Sequence, residues 1–199
     1  MQLWPSASEI VIMPPGMVNG KEKGMQRLFL IIFISCVLLL EACNLFKTRY
    51  EEIPPGFPET ISTVGVVDSL WRIRSLEGSE RALSHFRGKK LFINIWATWC
   101  GPCLAELPHL QTLYDSLRSD PEIAFLFISD EPDSTVRSFV LRNNYSLPFY
   151  VCEKSRPEIF NTQSYPSTFI ANARGEIVYK KLGSAKWNHP SVIEFLRGL

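Results

Sequence analysis

The sequence has almost no excess of charge of either sign. Its 199 residues contain 21 Lys and Arg against 20 Asp and Glu, so the formal net charge is +1. Proteins that bind nucleic acids usually carry a basic excess on one face, so this balance argues against a nucleic-acid partner. Cysteine is also scarce. The sequence has 5, which is too few for a small disulfide-stapled fold at this length. A folded core must therefore come from ordinary burial of apolar side chains.

The most apolar segment of the chain is too short for an ordinary membrane-spanning helix. Leu28–Leu40 is uncharged over 13 residues, whereas a spanning helix needs about 20. Its length fits the apolar part of a secretory signal, about 7–15 residues, and basic side chains between residues 21 and 27 precede it. We therefore expect 25–43 to be a signal peptide or membrane anchor, and 1–24 to be unstructured or to precede the true start.

The residues after this run are similar to the end of a bacterial lipoprotein signal. Leu40-Glu41-Ala42-Cys43 ends in the cysteine that is lipidated in such proteins, although Glu41 stands where a small residue is expected. Lipidation of Cys43 and an uncleaved helical anchor therefore both stay open. Either one predicts a membrane-anchored protein whose working part faces the extracytoplasmic (periplasmic) side. The polar, proline-bearing segment 44–59 is predicted to be a tether.

Beyond the tether, residues 60–199 predict alternating strands and helices. Leu91–Trp96 and Ile123–Ile128 are short apolar runs typical of central strands. Between them, leucines recur at helical spacing from Cys100 to Leu117. A strand, a helix and a strand in this order predict a right-handed crossover and a parallel pair of strands.

Two further patterns predict antiparallel strands. Thr168–Ala171 and Ile177–Lys181, separated by a turn, predict a hairpin near the C-terminus. Val64–Ser75, followed by a turn at Leu76-Glu77-Gly78, predicts an extra N-terminal β-hairpin. Shorter elements are expected as a helix capped by Asp133, a strand at Phe149–Val151 and a final helix at Ser191–Leu196. Together these elements predict an α/β fold with a central mixed β-sheet flanked by helices on both faces.

The residues that carry chemistry are Trp99-Cys100-Gly101-Pro102-Cys103, which directly follow a predicted strand and open a predicted helix. At a helix N-terminus, unpaired N–H groups and the helix dipole stabilise a thiolate and lower the pKa of the thiol, so Cys100 is the expected nucleophile. Cys103 lies one turn further along, where it can resolve a mixed disulfide. Pro102 is tolerated because the first turn needs no internal N–H bond.

A zinc site is the other chemistry that two cysteines at this spacing can indicate. A structural zinc ion needs four ligands. The candidates outside the motif, Cys152 and the three histidines, are not paired at ligand spacing, so no metal is expected. Cys152 is instead expected to be a small buried apolar residue.

The segment Trp96–Cys103, WATWCGPC, resembles the active site of the thioredoxin superfamily, and the chain more narrowly resembles membrane-anchored extracytoplasmic proteins of the TlpA/ResA type. Asn94 stands where cytoplasmic thioredoxins have a buried aspartate. Glu106-Leu107-Pro108 follows the second cysteine, and Tyr165–Phe169 matches the segment around the cis-proline of the family. The resemblance covers Val64–Leu199 and implies a thioredoxin-like fold.

The resemblance also implies roles for individual residues. Cys100 and Cys103 would form the redox-active disulfide, with Pro166 in the cis form beside it, and Tyr165 would present its backbone to the substrate. Trp99, Gly101 and Pro102 would complete the substrate surface. Glu106 would handle the proton of the cysteine pair; the alternative for Glu106 is an ordinary exposed helix residue.

The activity implied by the resemblance is thiol-disulfide exchange without any cofactor beyond the disulfide. The expected substrates are disulfides in extracytoplasmic proteins such as apocytochrome c, and a membrane thiol transporter would supply electrons. A non-catalytic binding module and a thiol peroxidase on the same fold are the alternatives. The intact pair of cysteines argues against the binding module, and peroxidases usually place their cysteine differently.

Overall fold

The computed structural model describes residues 27–39, 41, 53–58, 60–152 and 156–199. The chain divides into two units, Met1–Phe46 and Lys47–Leu199. In the first unit, residues 27–39 form helix α1, with exposed side chains. None of the helices among the described residues is long and apolar enough to cross a membrane. Cys43, the predicted lipidation site, and the segment 1–24 lie outside the described residues.

The described residues of the second unit form one mixed sheet of eight strands. The strands are β1 (Gly65–Val66), β2 (Arg72–Ser75), β3 (Glu80–Ala82), β4 (Lys90–Ile95), β5 (Ile123–Ser129), β6 (Phe149–Val151), β7 (Ser167–Ala171) and β8 (Glu176–Leu182). Their order across the sheet is β1-β8-β7-β4-β5-β6-β2-β3. The predicted mixed α/β sheet is therefore confirmed.

Strand direction brings several chain segments to one edge of this sheet. Strand β4 pairs in parallel with β5, from Lys90 opposite Ile123 to Ile95 opposite Ile128, and β5 pairs in parallel with β6. Strand β7 runs antiparallel to β4. The C-terminal ends of β4, β5 and β6 and the beginning of β7 therefore meet at the same edge, which carries the cysteine motif.

The N-terminal hairpin is present, but it is shorter than predicted. Strands β2 and β3 pair around a turn in which Gly78 has a φ of 92°, and β2 continues the sheet beyond β6. Strand β1 was expected to belong to this hairpin, and that part of the prediction is wrong. It pairs with β8 and is the outermost strand on the side of the sheet away from β2 and β3; Gly65 lies opposite Ile177. Two residues are too short for periodicity to indicate which strand they join.

In the part of the second unit that the structure describes, three α-helices cover one face of the sheet. They are α2 (Gly101–Leu117), α3 (Asp133–Asn143) and α4 (Pro190–Gly198). Their buried side chains share one core cluster with Phe92 and Phe127. Ile93 and Ile95, which alternate with Phe92 along β4, point into a second cluster on the other face. There two 3-10 helices, Leu83–Phe86 and Glu158–Phe160, contribute side chains where an α-helix was expected.

Some element boundaries also differ from the sequence predictions. Asp133 is the first residue of α3, and Pro132 occupies the N-cap position without a side-chain hydrogen bond. At α4 the cap is His189, whose side chain accepts a hydrogen bond from the Ser191 N–H. Within the predicted tether, Phe57 stacks on Phe195 with ring centroids 4.0 Å apart. The part of the chain that packs into the second unit therefore begins before residue 60.

Candidate active site

The cysteine motif occupies the junction between β4 and α2. Cys100 is the N-cap residue of α2 and is joined to Cys103 by a disulfide with an S–S distance of 2.05 Å and a Cα–Cα distance of 5.2 Å. The Cys103 N–H donates a hydrogen bond to Cys100 Sγ at 3.1 Å. Both cysteines are buried, at 3% and 1% exposure. Free N–H groups at the start of a helix favour negative charge, so this position suits a thiolate at Cys100.

The residues around the disulfide form an exposed, partly aromatic surface. Trp99 is 68% exposed, and its ring centroid lies 5.3 Å from that of Tyr165. Gly101 and Pro102 are also exposed, and a Cβ added at Gly101 would meet no heavy atom within 4 Å. Trp96, by contrast, is fully buried in the core against Phe139 and Phe149, as expected for a packing residue. Trp99 is therefore a surface residue rather than a core residue.

Pro166 lies at the same sheet edge, directly before β7. The Tyr165–Pro166 peptide bond is cis, and Ser167 pairs with Ile95 at the end of β4. The Tyr165 hydroxyl donates a hydrogen bond to Asp130 Oδ2 and accepts one from Arg156 Nη2, both at 2.9 Å. Arg156 also lies 3.5 Å from the Asp130 carboxylate. These contacts fix the Tyr165 side chain beside Trp99.

Glu106 lies on α2, three residues after Cys103, and is 1% exposed. Its Oε1 accepts a hydrogen bond from Asn94 Nδ2 at 2.9 Å. Its Oε2 accepts from Trp187 Nε1 at 2.8 Å and from the Ala185 N–H at 3.2 Å. The alternative of an exposed helix residue is therefore wrong. Residues three apart on a helix share a face, so Glu106 and Cys103 are neighbours on the buried side of α2.

Burial controls the proton affinity of Glu106. Removal of the carboxyl from water raises its pKa from 4.5 to about 7, although the hydrogen bonds from Trp187, Asn94 and Ala185 and the charge of Lys181 act in the opposite direction. A carboxyl with a pKa near neutrality can gain and release a proton under physiological conditions. Such a group is suited to general acid–base chemistry.

Two contributions to the site were not predicted from the sequence. Glu131, after β5, accepts hydrogen bonds from the Thr98 N–H and the Thr98 hydroxyl, both at 2.7 Å. This carboxylate ties the loop before the cysteines to the neighbouring loop. Trp187 lies 81 residues from Glu106 in the chain. A polar residue two positions after a buried strand was the available signal for Glu131, and no local pattern pointed to Trp187.

The third cysteine of this unit does not join the disulfide. Cys152 is free and buried at the end of β6, as expected for a small apolar residue. Burial, with a further contribution from Asp130, raises the pKa of its thiol to about 11, so it stays protonated at neutral pH. Over the part of the chain that the structure describes, no three His, Cys, Asp or Glu side chains are grouped to hold a metal ion.

Comparisons with known proteins agree with this geometry. The family model described as Redoxin matches residues 72–196. The thiol-disulfide oxidoreductase ResA of Bacillus thuringiensis is 32% identical over 114 residues, which cover 56% of this chain and 65% of the relative, slightly under two thirds. The protein of the same name from Geobacillus kaustophilus is 29% identical over 157 residues, covering 78% of this chain and 87% of the relative.

Solved structures show the same architecture. A putative thiol-disulfide oxidoreductase from Bacteroides vulgatus superimposes with a TM-score of 0.59 at 20% sequence identity. The superposition covers 71% of this chain and 99% of that protein. At this level of identity the similarity establishes the thioredoxin-like fold of the second unit, and the arrangement of its own residues must support any statement about chemistry.

Proposed function

The chain belongs to the redoxin family and its folded unit has a thioredoxin-like fold; we propose that it is an oxidoreductase that reduces disulfides in extracytoplasmic proteins through Cys100 and Cys103. One observation carries the proposal: the disulfide lies at the N-terminus of α2, directly beside an exposed surface and one helical turn from the buried carboxyl of Glu106. Nucleophile, resolving thiol and proton acceptor are thus on one short segment.

The proposed reaction starts from the reduced pair. The Cys103 N–H and the start of α2 stabilise the Cys100 thiolate, which attacks one sulfur of the substrate disulfide. That bond breaks, a mixed disulfide forms, and the departing substrate thiolate takes a proton from solvent. Glu106 accepts the proton of the Cys103 thiol, and Cys103 Sγ then attacks Cys100 Sγ. The second substrate thiolate leaves and is protonated in turn, so two electrons have passed from the protein to the substrate.

Substrate binding is assigned to the surface around the motif. We place an extended substrate segment along the Tyr165–Pro166 backbone, where strand-like hydrogen bonds are available, and across Gly101 and Pro102. Trp99 provides exposed aromatic area beside the reacting sulfurs. The disulfide itself is the redox group, and the proposal requires no other cofactor.

Replacing Trp99 with alanine is expected to raise the KM for a protein disulfide about tenfold, because a truncated interface anchor typically costs more than about 1 kcal/mol. Little change in stability is expected, since the side chain is 68% exposed. Steady-state reduction of insulin provides the measurement. Leu141→Ala is the matched control, because Leu141 is 78% exposed on α3, away from the motif. Equal effects of the two substitutions would remove Trp99 from the substrate surface.

The proposed setting is the outer side of a membrane. The apolar segment Leu28–Leu40 with its preceding basic residues supports export or anchoring, and Cys43 is the candidate for lipidation. A reductant in an oxidising compartment must be re-reduced, and we assign that role to a membrane thiol transporter. Apocytochrome c, whose haem-attachment cysteines must be reduced, is the proposed substrate.

A redox titration of the purified full-length protein tests the direction of electron flow. Equilibration with dithiothreitol and glutathione buffers should give a reduction potential well below about −200 mV, at or below the glutaredoxin range. A potential of about −120 mV, as in a strongly oxidising protein, would contradict the reductant role and leave only the fold and the cysteine pair.

A further inference from the structure

The groups that donate hydrogen bonds to Glu106 differ in whether they can also accept one when the carboxyl gains a proton. The indole N–H of Trp187 and the backbone N–H of Ala185 reach Oε2, and both are donors that cannot accept. A proton on Oε2 would therefore face two donors. Oε1 has a different neighbour, the carboxamide of Asn94, which carries both a donor and an acceptor.

Asn94 is fully buried on β4, and its hydrogen bonds are unevenly distributed. Its Nδ2 group donates to Glu106 Oε1 and to Thr168 Oγ1, each at 2.9 Å. Its Oδ1 is buried and accepts from no group in the described residues. A buried acceptor without a partner is costly, so this carboxamide has an unused hydrogen-bonding capacity directly beside the carboxyl of Glu106.

We propose that Asn94 is a positioning residue whose carboxamide turns over when Glu106 is protonated, so that the proton is held on Oε1. In the turned orientation, Oδ1 accepts from the protonated Oε1. Thr168 can follow the change, because its hydroxyl accepts in one orientation and donates to Oδ1 in the other. Trp187 and Ala185 keep their hydrogen bonds to Oε2 in both forms.

The number of hydrogen bonds is the same in the two forms. With Glu106 ionised, the two Nδ2 hydrogens are bonded and Oδ1 lacks a donor. With Glu106 protonated and the amide turned, Oδ1 accepts twice and Nδ2 lacks acceptors. An aspartate at this position would instead place two carboxyls in contact, which disfavours ionisation of both. Asn94 can therefore hydrogen-bond to both protonation states of its neighbour. The turned amide leaves two buried N–H donors without acceptors, so Asn94 still favours the ionised carboxyl.

The other groups that face Glu106 do not provide an alternative switch. Lys181, on β8, favours the ionised carboxyl. Cys103, on α2 itself, is disulfide-bonded and does not titrate in this state. Thr168 on β7, and Ala185 and Trp187 after β8, are uncharged. Among the residues described, Asn94 is thus the direct hydrogen-bond partner of Glu106 that can exchange a donor for an acceptor.

Nuclear magnetic resonance of the oxidised, isotope-labelled full-length protein tests this inference. Between about pH 5 and pH 9, the side-chain amide resonances of Asn94 should shift with the same midpoint as the carboxyl carbon of Glu106. Asn172 is the matched control, because its Nδ2 donates to Glu176 at 2.7 Å and the Arg174 hydrogen bond lowers the pKa of that carboxyl. Its amide should not shift in this range. Asn94 resonances that stay constant through the Glu106 titration would overturn the proposal.

Two variants separate positioning from mere packing. Asn94→Leu preserves the approximate shape but removes both donor and acceptor, and should raise the Glu106 midpoint by about one pH unit. Trp187→Phe removes a donor that cannot become an acceptor. The titration midpoint of Glu106 should therefore rise, while the Asn94 amide resonances still shift with that midpoint. An unchanged midpoint in Asn94→Leu contradicts the proposal. The importance of the Asn94 turn for thiol-disulfide exchange rests on the proposed function. These measurements need no substrate, so the inference about Asn94 and the proposed function can fail separately.

Discussion

Replacing Cys103 with serine is expected to trap a covalent complex between Cys100 and a substrate protein, whereas replacing Cys100 with serine abolishes exchange. The reason lies in their positions: Cys100 is the N-cap of α2, and Cys103 lies one turn along the helix on its buried side. A serine at 103 leaves the first attack intact but removes the sulfur that resolves the mixed disulfide. Loss of the nucleophile should lower the exchange rate by several orders of magnitude.

Non-reducing electrophoresis of each reduced variant after mixing with a disulfide-containing protein shows the trapped species. Cys152 provides the internal control, because its buried thiol, with a pKa of about 11, is not expected to react. The double variant Cys103→Ser/Cys152→Ser should therefore trap as much substrate as Cys103→Ser alone. Trapping by Cys100→Ser, with none by Cys103→Ser, would reverse the assigned order of attack.

The second large effect concerns stability and pH. Glu106 has a pKa of about 7 in the folded protein, against 4.5 for a glutamate in water, so the folded state holds this proton more tightly than the unfolded state. Its contribution to the free energy of unfolding is therefore greatest below about pH 4.5 and is lost as the pH rises to about 7. The total change is about 3 kcal/mol, at about 1.4 kcal/mol per pH unit.

Glu106→Gln should remove this dependence. Glutamine is neutral at every pH and can donate to Asn94 Oδ1 after the amide turns, so it resembles the protonated carboxyl. Relative to the wild type, the variant should gain about 3 kcal/mol in unfolding free energy between pH 4.5 and pH 8, measured by urea denaturation at several pH values. Glu176→Gln is the control, since hydrogen bonds from Arg174 and Asn172 lower the pKa of Glu176. Its difference from the wild type in unfolding free energy should stay constant over the same pH range. Parallel pH profiles for wild type and Glu106→Gln would show that Glu106 is ionised when folded.

The parts of the structure that could be predicted are those with strong local patterns. Strands β4 and β5 are apolar throughout, and α2 has apolar side chains at helical spacing, so their type and order follow from residues close together in the chain. The position of Cys100 at the helix start depends on the same local order. The resemblance to a known family then supplied the proposed role of Glu106, which periodicity alone does not distinguish from an exposed helix residue.

The parts that could not be predicted depend on contacts between distant segments. Strand β1 has two residues, and its pairing with β8 is decided by backbone hydrogen bonds such as that from the Val64 N–H to the Ile177 carbonyl. The carboxylate of Glu131 reaches Thr98 only after β5 has taken its place beside β4. Trp187 reaches Glu106 only when the loop after β8 packs into the core, where its ring contacts Phe92 of β4. Strand β1 and Trp187 leave no signature at their own positions, and the polar residue that follows β5 does not by itself indicate Thr98 as its partner.

The dipeptide between the cysteines is almost free of packing constraints, and this makes the site open to evolutionary change. A side chain at Gly101 would project into open space, and Pro102 is exposed in the first helical turn. Any other residue at position 102 would add an N–H donor close to the Cys100 sulfur, because proline has none. Substitutions at these two positions can therefore alter the balance between dithiol and disulfide without disturbing the core. A lineage carrying this domain could exchange the proposed reducing role for an oxidising one while its fold stays intact.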